Sequence, residues 1–115
     1  MLKFRVWDGN KKRWLNDWMI NNHGVVVNDR DDAENLSLHD NAIIQQYTGC
    51  NDKNRNPVYE GDVIKHTNLG MTRNGTIRFY AGAFFAEWED QTDDMLGYLL
   101  TTGIEVIGNI FENKK

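Results

Sequence analysis

No segment of this 115-residue sequence keeps an apolar helical period over three turns, and that absence constrains the fold more than any motif does. Short period-two segments between turn formers take its place. Leu2, Phe4 and Val6 alternate with Lys3, Arg5 and Trp7, the pattern of a half-buried strand whose successive side chains point to opposite faces. Asp8-Gly9-Asn10-Lys11 follows with turn chemistry, and Arg13, Trp14 and Leu15 resume an extended pattern. A hairpin with a two- or four-residue connection is therefore expected at once. Fourteen asparagines and ten glycines against one proline, Pro57, supply tight turns along the rest of the chain.

Further strands are expected at residues 25–27, 43–47, 62–66, 76–80 and 84–88, with Thr48-Gly49 ending the second and Ala81-Gly82 turning between the last two. Residues 99–100, 104–107 and 110–111 are shorter apolar segments. Residues 51–57 are polar up to Pro57 and predict an exposed loop, and residues 89–94 predict an acidic one. The helical candidates are one short helix within 31–42 and a turn at 93–96. Strands at about ten-residue spacing define an all-β class, a small β-barrel or sandwich. The acidic stretch at 31–35 marks a seam. It divides a single domain over 1–115 into an N-terminal β-hairpin subdomain, 1–42, and a β-barrel subdomain, 43–115.

A chain of this size buries roughly two-thirds of its unfolded surface, enough for one core and not for separate cofactor and substrate domains. Its apolar runs fall far short of the roughly 20 residues of a membrane helix, and no signal segment opens it, so no membrane partner and a cytoplasmic location are expected. Cys50 is the single cysteine, which excludes an internal disulfide.

Candidate chemistry is sparse. Glu60 and Asp62 stand two apart and would share a face if both were extended, yet Gly61 between them points to a turn cap beside a solvated glutamate. Glu87, Glu89, Asp90, Asp93 and Asp94 could gather oxygens for a divalent cation, but without the spaced glycine of a calcium loop they read as a solvated acidic loop. His23, His39 and His66 fit no zinc spacing. Cys50 near Lys53 and Arg55 lacks an identifiable base. The expectation is no catalytic residue, no metal and no cofactor; a small enzyme with acidic residues in a barrel cleft is the outlying alternative.

The informative feature is charge segregation. The net charge is −4, but residues 1–20 hold five basic and two acidic side chains, while residues 21–62 hold three and eight. If Trp7 pairs with Lys12, then Lys3, Arg5, Trp7, Lys12 and Trp14 share one face of the first hairpin, with Phe4, Val6 and Leu15 on the other. Such a face, with Trp18 beyond it, has three readings. It docks on the acidic body of another subunit, as Trp and Arg do at interface centres; it binds single-stranded nucleic acid by phosphate contact and base stacking, against the overall acidity; or its tryptophans are core and its cations merely solvated.

One stretch, residues 43–65, carries Tyr47-Thr48-Gly49 and Tyr59-Glu60-Gly61-Asp62-Val63-Ile64. With the opening Phe4-Arg5-Val6-Trp7-Asp8 and the closing Ile104-Glu105-Val106-Ile107-Gly108-Asn109-Ile110-Phe111-Glu112-Asn113, it resembles the YopX family of phage and prophage proteins. Cys50 and Asn51 depart from a pattern that tends toward Leu and Lys, and Asn54 or Arg55 replaces a loop glycine. The resemblance implies a phage-encoded, mainly β, self-associating protein with a phage or host protein as a further partner. It implies no activity and carries over no catalytic residue. Gly61 and Asp62 before a β-branched pair, with Gly75-Thr76-Ile77 as a later hairpin strand, are also similar to SH3-like barrels; an SH3-like barrel over 57–111 or another small barrel or sandwich is expected. In this turn glycine supplies backbone freedom and Asp62 a carboxylate for nearby amides.

Overall fold

Strands make up nearly all the regular structure of the computed structural model, which describes residues 3–16, 18–21, 24–28, 36–38, 41–100 and 102–112, with backbone alone at 20–21, 24–28 and 36–38. The chain packs as two units, Phe4–Gln45 and Met1–Lys3 with Gln46–Lys115. Strand β6 (Ala42–Asn51) runs from the first into the second.

In the Phe4–Gln45 unit, β1 (Phe4–Asp8) pairs antiparallel with β2 (Arg13–Trp14) through Trp7 opposite Trp14 and Asp8 opposite Arg13. Four residues connect them, and the buried Asp8 carboxylate organises that turn by accepting from the backbone N–H groups of Asn10 (2.9 Å) and Lys11 (3.0 Å). A second, three-stranded antiparallel sheet holds β3 (Trp18–Asn21), β4 (Gly24–Asn28) and β5 (Leu36–Leu38) in chain order. Strand β5 occupies the centre of the segment expected to hold a short helix. Leu36, Ser37 and Leu38 alternate and pair with Asn28, Val27 and Val26, so a period of two wins there; residues 29–35 and 39–40 lie outside the described residues.

In the larger unit, β7 (Pro57–Tyr59) lies along the second half of β6. Strands β8 (Asp62–Asn68), β9 (Met71–Tyr80), β10 (Ala83–Trp88), β11 (Asp93–Met95) and β12 (Ile104–Asn109) form an antiparallel sheet in the order β11-β10-β9-β8-β12. One helical turn, α1 (Leu96–Leu99), follows β11. Alternation decides which side each residue faces: Asp62, Ile64 and His66 of β8 point inward while Val63 and Lys65 are partly exposed. The core is Val58, Ile64, Ile77, Ala86, Trp88, Leu96, Leu99 and Ile104. Ala81 and Gly82, at φ 51° and 81°, make the β9–β10 turn; positive φ at both central residues matches the strand twist.

The all-β class holds; the strand order does not establish the SH3-like arrangement. Local differences from the sequence reading have identifiable causes. Gly49 does not end β6. It sits at φ 88° in a bulge where the Thr48 hydroxyl donates to the Val58 carbonyl (2.8 Å), and the strand continues to Asn51. Residues 53–57 are exposed as expected, but Asp52 is buried, because its carboxylate accepts from the backbone N–H groups of Asn54, Asn56 and, across the fold, Val106. Burial alone would raise the Asp52 pKa; those three amides outweigh it and hold the carboxyl below its usual value. Asp93 and Asp94, expected in a loop, form β11 instead.

Candidate functional site

The first hairpin gathers its aromatic residues differently from the expected register. Trp7 faces Trp14, not Lys12, and the two rings meet edge to face with centroids 4.9 Å apart. The Arg5 guanidinium lies 4.3 Å above the Trp14 ring and donates to the Gln45 side chain at 2.9 Å, a cation–π contact fixed at both ends. Trp7 is 6% exposed and Trp14 half-buried. Lys12 lies in the connecting turn at φ 56°, exposed with Lys11 and Arg13. Among the described residues, no carboxylate pairs with any of these three cations.

The six candidate residues are thus not one face. Arg5, Trp7 and Trp14 form a stack; Lys12 is at the hairpin tip; the Lys3 ammonium lies 5.1 Å from the Tyr47 ring centroid in the larger unit; Trp18 is half-buried in β3, opposite Val27. Sequence reading left Lys11 and Arg13 out of that face: Trp7 pairs two positions further along the chain than expected, which lengthens the connection to four residues and puts Lys11 and Lys12 in the turn, with Arg13 at the start of β2.

In the Tyr59–Glu60–Gly61–Asp62 turn, Gly61 adopts φ 86°, its N–H donates to the Ile77 carbonyl (2.8 Å) and its own carbonyl accepts from Ile110 (3.0 Å). Asp62, 1% exposed, accepts from the Tyr59 N–H at 2.8 Å and the Asn109 amide at 3.2 Å. Glu60 lies in the turn, not on the strand with Asp62. Both Asp62 oxygens are occupied by neutral donors, an arrangement that locks two segments together.

A third cluster surrounds Trp88. The Arg73 guanidinium stacks 3.8 Å from the Trp88 ring centroid, and Asp94 accepts from both Arg73 (3.0 Å) and the Trp88 indole N–H (2.8 Å). His66 lies 5.8 Å from the same ring, with Nε2 2.6 Å from the Thr102 hydroxyl. That hydroxyl donates to the Leu99 carbonyl at 3.1 Å, so His66 Nε2 serves as the donor to Thr102. Burial, then the charge of Arg73, lowers the His66 pKa, with Asp94 opposing. The folded state therefore holds fewer protons than the unfolded chain as pH falls below the ordinary histidine value of 6.5, and His66 removes stability progressively in that range. The urea midpoint is expected to be lower at about pH 5 than at about pH 7.5, with a smaller difference in His66→Phe; an equal difference in both proteins would exclude His66 as the source.

Among the described residues no group of His, Cys, Asp and Glu is placed to hold a metal ion, and no described helix is long and apolar enough to cross a membrane. His23 and His39 lie outside the described residues. Cys50 packs against the core. Of the acidic segment, Asp94 is tied to Trp88 and Arg73, Glu87 pairs with Arg78 at 3.7 Å, and Asp93 accepts from the Tyr80 hydroxyl.

The fold is similar to the crystal structure of protein EF1440 from Enterococcus faecalis, with a TM-score of 0.68 and 26% identity over 98% of this chain and 95% of that one. No curated protein matches the chain. The family model described as YopX protein matches residues 3–115, including the first hairpin, the Tyr59–Asp62 turn and the closing strand, and the chain belongs to the YopX family.

Proposed function

We propose that this protein works by binding and not by catalysis, as a phage-type protein in the bacterial cytoplasm whose first hairpin docks on the acidic surface of a second copy. The observation that carries this reading is the exposed Lys11-Lys12-Arg13 tip, mounted on a hairpin stiffened by the Trp7, Trp14 and Arg5 stack. Three cations without carboxylate partners among the described residues lose little by meeting carboxylates elsewhere. The β10–β11 turn offers them in exposed Glu89 and Asp90. Asp90 stays ionised to lower pH than an ordinary carboxyl, because the Thr92 hydroxyl and N–H both donate to it. Rigid mounting limits the side-chain and loop ordering that opposes association.

Nucleic acid is the second reading, favoured by the same unpaired cations. Trp7 is buried and Trp14 lies under Arg5, so the hairpin offers phosphate contacts without an open stacking platform. Sedimentation of the wild type and of Lys11→Glu/Lys12→Glu/Arg13→Glu, at low and moderate salt, tests both. The wild type is expected to self-associate at tens of micromolar, less at moderate salt, and the triple variant at least about tenfold more weakly. A wild-type monomer throughout would overturn the docking reading. Charge-dependent binding of a single-stranded oligonucleotide by that monomer would establish the second.

A further inference from the structure

We infer that the outer face of the β11-β10-β9-β8-β12 sheet is a second self-association surface, packing two-fold against the same face of another copy. Ile77 and Ala86 point into the core, so alternation turns Arg78, Tyr80, Phe85 and Glu87 to the opposite side. There the Tyr80 and Phe85 rings stack 4.4 Å apart and 14° from parallel, and Met95 lies directly opposite Phe85 across β10 and β11. Tyr80 and Met95 remain 43% and 42% exposed. The one polar atom in this apolar centre, the Tyr80 hydroxyl, already donates to Asp93, so the centre can be dehydrated without leaving a donor unpaired.

Charge selects the occupant. Arg78 and Glu87 flank the apolar centre as a half-exposed pair, and Lys65 with Glu105 (3.4 Å) repeats that alternation across β8 and β12. The face has no single-signed field to suit a nucleic acid or a strongly charged peptide. Alternating charges around aromatic residues suit an isologous contact, because off the two-fold axis residue i of one copy meets residue j of the other while j meets i. Arg78 of one copy would meet Glu87 of the other, twice. The β11 edge beside it carries Asp93 and Asp94, which oppose edge-to-edge pairing, leaving the face as the contact. This surface is separate from the Lys11–Arg13 tip and does not depend on it.

The test uses full-length protein carrying Lys11→Glu/Lys12→Glu/Arg13→Glu, so that tip docking does not contribute. In this background the intact face is expected to give a concentration-dependent dimer. Arg78→Glu alone and Glu87→Arg alone should each weaken it at least about tenfold, since each places like charges opposite one another. An equimolar mixture of the two should restore it to within about threefold of the parent, because every Glu then meets an Arg. A parent that stays monomeric at hundreds of micromolar, single variants that dimerise as well as the parent, or a mixture no better than its components would each overturn the proposal. None of these outcomes bears on tip docking, which the parent lacks.

Discussion

Replacing Asp62 with alanine is expected to lower the unfolding free energy by about 3 kcal/mol, from the cost of leaving buried donors without acceptors. Asp62 is 1% exposed, and its two oxygens accept from the Tyr59 N–H and from the Asn109 side chain. Alanine strands both donors where water cannot replace the carboxylate without a rearrangement. Asp62→Asn separates shape from acceptor number. Its one oxygen can serve Tyr59 or Asn109, and its NH₂ group then faces the other donor. Turning the Asn109 amide to offer oxygen would take the acceptor from Phe111, whose N–H donates to Asn109 Oδ1 at 3.0 Å. The amide variant should therefore lie between wild type and alanine, about 1–2 kcal/mol down. Urea denaturation reads both, and an unchanged midpoint for Asp62→Ala would show that the carboxylate does not hold β8 to the closing segment.

The turn around Asp62 is legible in the sequence because its cause is local. A glycine able to adopt positive φ, followed by a short acceptor and a β-branched pair, names a turn into a strand without reference to anything distant. The β9–β10 hairpin is legible for the same reason, with Ala81-Gly82 between two alternating segments. Asp52 shows the opposite case. Its neighbours Lys53, Asn54, Arg55 and Asn56 all predict exposure, and what buries it is the N–H of Val106, 54 positions away, which no local pattern announces. The hairpin register was open for a related reason. Lys12 and Trp14 are both acceptable strand residues, and the buried Asp8 carboxylate, by capturing two turn amides, favours the longer connection and moves Lys12 out of the ladder. The basic character of the N-terminal segment could be read in advance; which cations would stand free at its tip could not.

Trp88 and Gly75 should form the most strongly coupled pair in the larger unit. They are directly opposite in the β9–β10 ladder, and a Cβ added at Gly75 would come within 2.6 Å of Trp88 Cε3, 3.0 Å of Cζ3 and 2.9 Å of the Glu87 carbonyl oxygen. The ring thus fills the space that a side chain at position 75 would need. Trp88→Ala is expected to cost about 4 kcal/mol, the range for losing a buried tryptophan; it also removes the surface on which Arg73 stacks and against which His66 rests. Gly75→Ala should cost about 2 kcal/mol by overpacking. Two of the three close contacts belong to the ring, so the double variant should be about 1–2 kcal/mol more stable than the two single effects predict. Should Trp88→Ala not fold, Trp88→Leu completes the same cycle with a smaller truncation. Denaturation midpoints of the four proteins give the coupling directly. Additivity within about 0.5 kcal/mol would mean that backbone crowding by the Glu87 carbonyl, and not the tryptophan ring, is what requires glycine in the middle of β9.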